Sequence, residues 1–161
     1  MSEVNAWLLD LGEGLLAAVG ELEMVHMLPD NPELFEIPQS PAYCRNVLVW
    51  QGEILPLMNL ASRVLDRPVK ASRNLVAITA FQEYPGAEVR HGALILHAPP
   101  ERIRVNDSHA CDLSGFQTGW RRLALACFEY ADRGPVPVLD LCNLFSLPSR
   151  YASSIGKGSF P

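Results

Sequence analysis

Hydrophobic positions along the chain come in short blocks, each closed by turn residues. The block 6–11 ("AWLLDL") stops at Gly12 and Gly14, and the block 15–19 ("LLAAV") stops at Gly20. The block 46–50 ("NVLVW") stops at Gly52; blocks 54–58, 74–81, 92–97, 122–130 and 136–139 follow. They are rich in Val, Ile, Leu and aromatic residues, and "LALACFEY" alternates large with small side chains. Many short strands with turns between them predict an all-β barrel or sandwich. The stretch 29–43 carries prolines at 29, 32, 38 and 41, which suits a surface loop better than a strand.

One phrase is stated twice. Residues 51–65 ("QGEILPLMNLASRVL") align with residues ending "GPVPVLDLCNLFSL" at a constant offset of 81 (137 − 56), setting Pro56 on Pro137 and Asn59 on Asp140. Leu60 falls on Leu141 and Val64 on Phe145. In each copy a strand leads to Asn or Asp, whose side chain can accept a hydrogen bond from an amide two or three residues on and so cap a short helix. Asp140 is therefore read as a cap rather than an acid catalyst. A weaker echo sets 14–27 on 92–105 at an offset of 78 (92 − 14). Together these predict two related β-units, about 14–66 and about 92–147, linked by "DRPVKASRN", with a small, polar, flexible tail over 148–161.

Composition narrows the function. The chain has 161 residues, a net charge of −5, 48% hydrophobic and 19% charged residues. It shows no Lys/Arg cluster of the kind that binds a phosphate backbone, so no nucleic acid is expected as partner. No apolar run reaches the ~18 residues that span a bilayer, and the N-terminus has no basic segment before its apolar block. The chain is expected in the cytoplasm, without membrane insertion. Cys44, Cys111, Cys127 and Cys142 show no C-x-x-C spacing and are expected as reduced thiols.

Catalytic patterns are missing. His26, His91, His97 and His109 are unpaired by spacing, so no metal site is expected. There is no G-x-S-x-G and no phosphate-binding glycine loop, and Glu21, Glu23, Glu33 and Glu36 are too dispersed to nominate an acid–base pair. The chain reads as a non-enzyme without a cofactor. A small-ligand-binding β-barrel is the alternative, and it would need a roomy apolar interior with a few polar anchors.

The phrase "NVLVWQGEILPLMNLASRVL" resembles the signature of the CheW-like domain of bacterial chemotaxis coupling proteins, roughly G-V-x-N-L-R-G-x-I-x-P-h-h-D-L. "GPVPVLDLCNLF" resembles that family's closing strand and helix, and "WLLDLGEG" its first strand and turn. The resemblance implies a single CheW-like domain over 1–147. Its fold would be two five-stranded SH3-like β-barrels packed together around an apolar groove, with short capping helices. It implies an adaptor joining the cytoplasmic tip of a chemoreceptor to the regulatory domain of a CheA-type histidine kinase.

The departures from the family pattern are specific. The family's first glycine is Asn46 here, its Asn-Leu-Arg-Gly is Val49-Trp50-Gln51-Gly52, and its first Asp is Asn59. An acid near the second strand corresponds to Met24 in Leu22-Glu23-Met24-Val25. Gln51 keeps a donor and an acceptor but loses the fixed fork and charge of Arg. These losses suggest a divergent member serving a non-flagellar pathway such as pilus motility. The resemblance places kinase contact at Leu22, Glu23, Met24, Val25, Gln51 and Gly52, receptor contact in a cleft drawing on Val47, Val49, Leu94 and Leu96, and a partner contact at Asn46. Trp50 is expected to be largely buried and Gln51 exposed.

Overall fold

The computed structural model describes residues 3–29, 31–70, 75–113, 116 and 118–146. The expected tail 148–161 lies outside the described residues. Eleven strands are present among those described. They are β1 (Glu3–Gly12), β2 (Leu15–Gly20), β3 (Met24–Met27), β4 (Phe35–Glu36), β5 (Asn46–Trp50), β6 (Glu53–Met58), β7 (Leu75–Phe81), β8 (Arg90–Leu96), β9 (Glu101–Asn106), β10 (Ala124–Glu129) and β11 (Pro135–Leu139). Two short helices, α1 (Leu60–Leu65) and α2 (Leu141–Leu144), follow β6 and β11. The fold is mostly β, in two barrel-like sheets, as expected. The Pro-containing loop is extended enough to hold the two-residue β4 at one sheet edge.

Sheet one runs β3-β7-β8-β6-β5-β4 and sheet two runs β10-β11-β2-β1-β9. Leaving out β4, the two orders correspond position by position. Each pairs a hairpin antiparallel (β5–β6, β10–β11), then joins its second strand in parallel to the next (Leu57 with Ala93 in sheet one, Val138 with Ala18 in sheet two). Residues 57 and 138 are also one offset of 81 apart, so Pro56 and Pro137 hold corresponding places.

The sheets do not coincide with the two sequence units, and this corrects their boundaries. The strands of sheet one fill 24–96, while sheet two combines 3–20 with 101–139. The repeat therefore starts earlier, at β1 in one copy and β7 in the other. Each copy's first hairpin pairs with the remainder of the other copy. The chain crosses between sheets after β2 and again after β8.

The caps form as the sequence predicts. Asn59 Oδ1 accepts from Ser62 N (3.2 Å), and Asp140 Oδ1 accepts from Asn143 N (3.1 Å). Leu60 and Leu141 behind them are each 1% exposed. Three apolar clusters make the core. Leu48, Leu55, Leu57, Val76, Ile78 and Ala93 fill sheet one, and Ala6, Leu8, Ala18, Ile103, Phe128 and Val136 fill sheet two. The largest lies between the sheets and includes Leu9, Val19, Leu60, Leu94, Leu96, Leu139, Leu141 and Phe145. Alternation along β1 sends Leu8 into its own sheet and Leu9 into the shared core, as period-2 strands require. Gly92 is needed here because a Cβ would lie 2.5 Å from the Phe145 ring, which stacks on Phe81.

Two of the four expected thiols are instead a disulfide, Cys111–Cys127. The β9–β10 connection folds back so that Cys111 N donates to Cys127 O (3.1 Å), beside a bridge between Ala110 and Phe128. This brings the two Cα atoms to 5.4 Å, which sequence spacing could not reveal.

Candidate partner-binding surfaces

The β5–β6 hairpin carries most of the nominated residues. Val49 pairs with Ile54 and Trp50 with Glu53, leaving Gln51 and Gly52 as a two-residue turn. Both have positive φ (49° and 79°), as a type I′ connection demands, and both are exposed. Gly52 takes that conformation freely, while Gln51 does so at a cost. Leu48 and Leu55 point inward, so Val47, Val49, Ile54 and Pro56 face outward beside Phe35 of β4. Val49 is 58% and Ile54 73% exposed, making an apolar sheet face next to the turn. Asn46 and Val47 are half-buried.

Trp50 is half-buried, less than expected, because it sits at the end of sheet one rather than inside it. Its ring lies 6.4 Å from the His26 ring and 5.2 Å from the His91 ring, measured between centroids. His91 Nδ1 is 3.2 Å from Glu53 Oε2, without hydrogen-bond geometry. Through Trp50 and His26 the structure brings the Gln51–Gly52 turn to the end of the sheet that carries β3, where the stretch Leu22–Val25 begins.

Within that stretch, Leu22 stands 90% exposed on a 3-10 turn and Val25 is exposed on β3, while Met24 packs partly against the shared core. Glu23 turns back so that its Oε1 accepts from Gly20 N (2.8 Å). Burial pushes its carboxyl up from the ordinary value of 4.5; the Gly20 amide opposes this and the charge of Asp140 adds to it.

Leu94 and Leu96 are corrected. Both are fully buried in the shared core, because β8 is central in its sheet and covered on both faces. They are structural and inaccessible to a partner. The roomy interior that a ligand-binding barrel would need is occupied by these same side chains. The junction between the sheets instead opens at its rim. Phe81, Gln82 and Glu83 at the end of β7 line a groove there with Leu22, Glu23, Leu125 and Asp140. Leu125 is 65% exposed, and the groove's charged groups are acidic.

The corresponding depression on the other side, beside Asn59 and Ser62, is partly occupied by the chain itself. Val69 N donates to Ser62 Oγ (2.9 Å), and Asn59 Nδ2 donates to Val69 O (2.8 Å). Sequence reasoning missed Ile54 and Leu125. Counting outward from the Gln51–Gly52 turn would have found Ile54 opposite Val49. Leu125 carries no such signal, since its exposure depends on how the sheets meet. Among the described residues no three His, Cys, Asp or Glu side chains gather to hold a metal, and no helix is long and apolar enough to cross a membrane.

The CheW-like domain matches residues 8–149. This chain belongs to the CheW-like domain family. The match spans both sheets and both capped helices. The structure also superposes on the scaffolding protein TtCheW from Thermoanaerobacter tengcongensis with a TM-score of 0.71 at 16% identity, covering 91% of this chain and 94% of that one. At that identity the likeness concerns the fold. No curated protein matches the sequence. Within the CheW-like frame, Gln51 and Gly52 form the turn of the signature, and Asn59 and Asp140 are the two helix caps. The family is one of chemotaxis adaptors and scaffolds, so the surfaces above are read as contacts for other proteins.

Proposed function

We propose that the chain is a non-enzymatic coupling adaptor of a bacterial chemosensory system, acting in the cytoplasm. It joins the cytoplasmic tip of a chemoreceptor to the regulatory domain of a CheA-type histidine kinase. The CheW-like match over 8–149 carries this reading. Val49, which the resemblance places in the receptor cleft, instead shares an exposed apolar face with Ile54 next to the Gln51–Gly52 turn, and this face with the turn and Leu22–Val25 is the kinase-facing surface. The groove of Phe81 and Leu125 suits one side of a receptor helix, a helix-in-groove mode read through a few apolar anchors. Divergence from the family pattern, with Gln51 in place of Arg, supports a non-flagellar pathway, whether pilus motility or another output.

The test is calorimetric titration of the full chain with the cognate kinase regulatory domain, then with a receptor-tip fragment. Independent binding of both, and a ternary complex on gel filtration, is expected. Binding of neither, with a melting-temperature rise caused by a metabolite instead, would replace the adaptor with a ligand-binding protein. Deleting the gene should impair twitching and leave swimming intact; the reverse result would return it to a flagellar system.

A further inference from the structure

The Cys111–Cys127 pair divides its roles by exposure. Cys111 is half-exposed on the β9–β10 connection and lies outside the three core clusters, whereas Cys127 is 4% exposed on β10. The bridge closes a loop with a sequence separation of 16. That loop brings Trp120 (3% exposed) and Leu123 (2%) into the shared core, and a Cβ on Gly119 would meet the Val64 carbonyl at 2.4 Å. Within it, Leu123 O accepts from Asp140 N (2.8 Å), and Arg122 O accepts from the Asn143 side chain. The connection is thus fastened to the start of α2 and to the groove that Leu125 and Asp140 line. The other two cysteines do not pair. Cys44 and Cys142 are free, and burial raises the Cys44 thiol despite nearby Arg63, which favours its protonated form.

We propose that Cys111 and Cys127 form a reversible thiol–disulfide switch that tightens the β9–β10 connection and, through it, the rim of the groove. The exposed Cys111 thiolate attacks one sulfur of a low-molecular-weight disulfide, RSSR; its S–S bond breaks and RS⁻ leaves. Cys127 then attacks Cys111 Sγ, forming the internal bond and expelling the second RS⁻. The two thiol protons end on the departing sulfurs, so two protein thiols are oxidised and one RSSR becomes two RSH. Cys127 needs no solvent access, since its partner is already beside it. A dithiol reductant reverses the sequence. In a reducing compartment such a bridge is transient, and that part rests on the cytoplasmic reading above.

The experiment uses the purified full chain and is independent of any partner. The reduced protein is equilibrated in buffers of graded oxidised-to-reduced glutathione ratio, trapped with iodoacetamide and mapped by mass spectrometry. Hydrogen exchange is measured on both end states. A bridged Cys111–Cys127 peptide should form and open with the ratio, while Cys44 and Cys142 alkylate throughout. Closing a loop of this size slows exchange over 118–129 roughly tenfold to a hundredfold. Alkylation of all four cysteines at every ratio overturns the proposal. So does a bridge that dithiothreitol cannot open in native buffer, or one that leaves exchange unchanged. Cys111→Ser should fold and stay in the reduced exchange pattern; the oxidised pattern in that variant would also overturn it.

Discussion

At the scale of single residues, exposure separates positions that one sequence pattern treats alike. Val49 and Leu94 are both apolar strand residues, yet one is 58% exposed and the other fully buried. Leu94→Ala should cost about 2–5 kcal/mol in chemical denaturation, as a cavity in the shared core. Ile54→Asp should leave the melting temperature within a few degrees and weaken binding of the kinase regulatory domain at least ~10-fold, as loss of an interface anchor does. If Ile54→Asp binds normally, the apolar sheet face is not the contact. Trp50→Ala should cost about 2 kcal/mol, below the range of fully buried aromatics, because only part of its ring is covered. Glu23 supplies a pH signature. Its folded pKa is raised above 4.5, so folding takes up protons, and stability falls as pH climbs from 4.5 through the folded value. Glu23→Gln keeps the acceptor for Gly20 N and should flatten that slope while being at least as stable at pH 7. A slope unchanged in this variant would assign the titration elsewhere.

At the scale of elements, the repeated phrase was read correctly because it is local. Strand, cap and helix lie within 13 residues in one copy (Glu53–Leu65) and 10 in the other (Pro135–Leu144), and both caps are made by side chains three residues from their donors. Asn59→Ala and Asp140→Ala should each cost about 1 kcal/mol. Asn59 should cost more, because its Nδ2 also holds Val69 O. Equal losses would mean that the 66–70 segment contributes nothing there. The strand blocks were legible for the same reason, since nearby turn or cap residues such as Gly12, Gly20, Gly52, Asn59 and Asp140 close them. Which side of β8 faces what was not legible: Gly92, Ala93, Leu94 and Leu96 are all buried, so no alternation marks a face. The disulfide was hidden because it depends on a loop folding back across β10.

At the scale of the whole molecule, the exchange of hairpins between sheets escaped the sequence. Both copies carry the same pattern, and only the direction of the chain after β2 and β8 decides which sheet a strand joins. The nominated residues on the hairpin lie where a partner can reach them, and those in the shared core, Leu94 and Leu96, do not. Since the surface proposed to face the kinase is apolar and lacks the family's Arg, binding should be weakly salt-dependent. Raising salt from about 50 mM to about 500 mM should change the affinity for the kinase regulatory domain less than ~10-fold, because charge is screened over that range. A steeper loss would show that charge dominates the contact. Gln51→Arg should leave the fold intact, as an exposed turn residue, and should increase the salt dependence.

The exchanged hairpin also bears on how the protein is made. Translation delivers β1 and β2 first, yet the strands flanking them, β9 and β11, are delivered last. All six strands of sheet one are complete once Leu96 has left the ribosome. Until the remaining chain follows, the nascent hairpin holds Ala6, Leu8 and Ala18 without the Ile103, Phe128 and Val136 that cover them, an aggregation hazard on the order of the seconds that the last strands take to arrive. A stalled chain ending near residue 100 should therefore show a protease-resistant sheet one with its first twenty residues still open to cleavage.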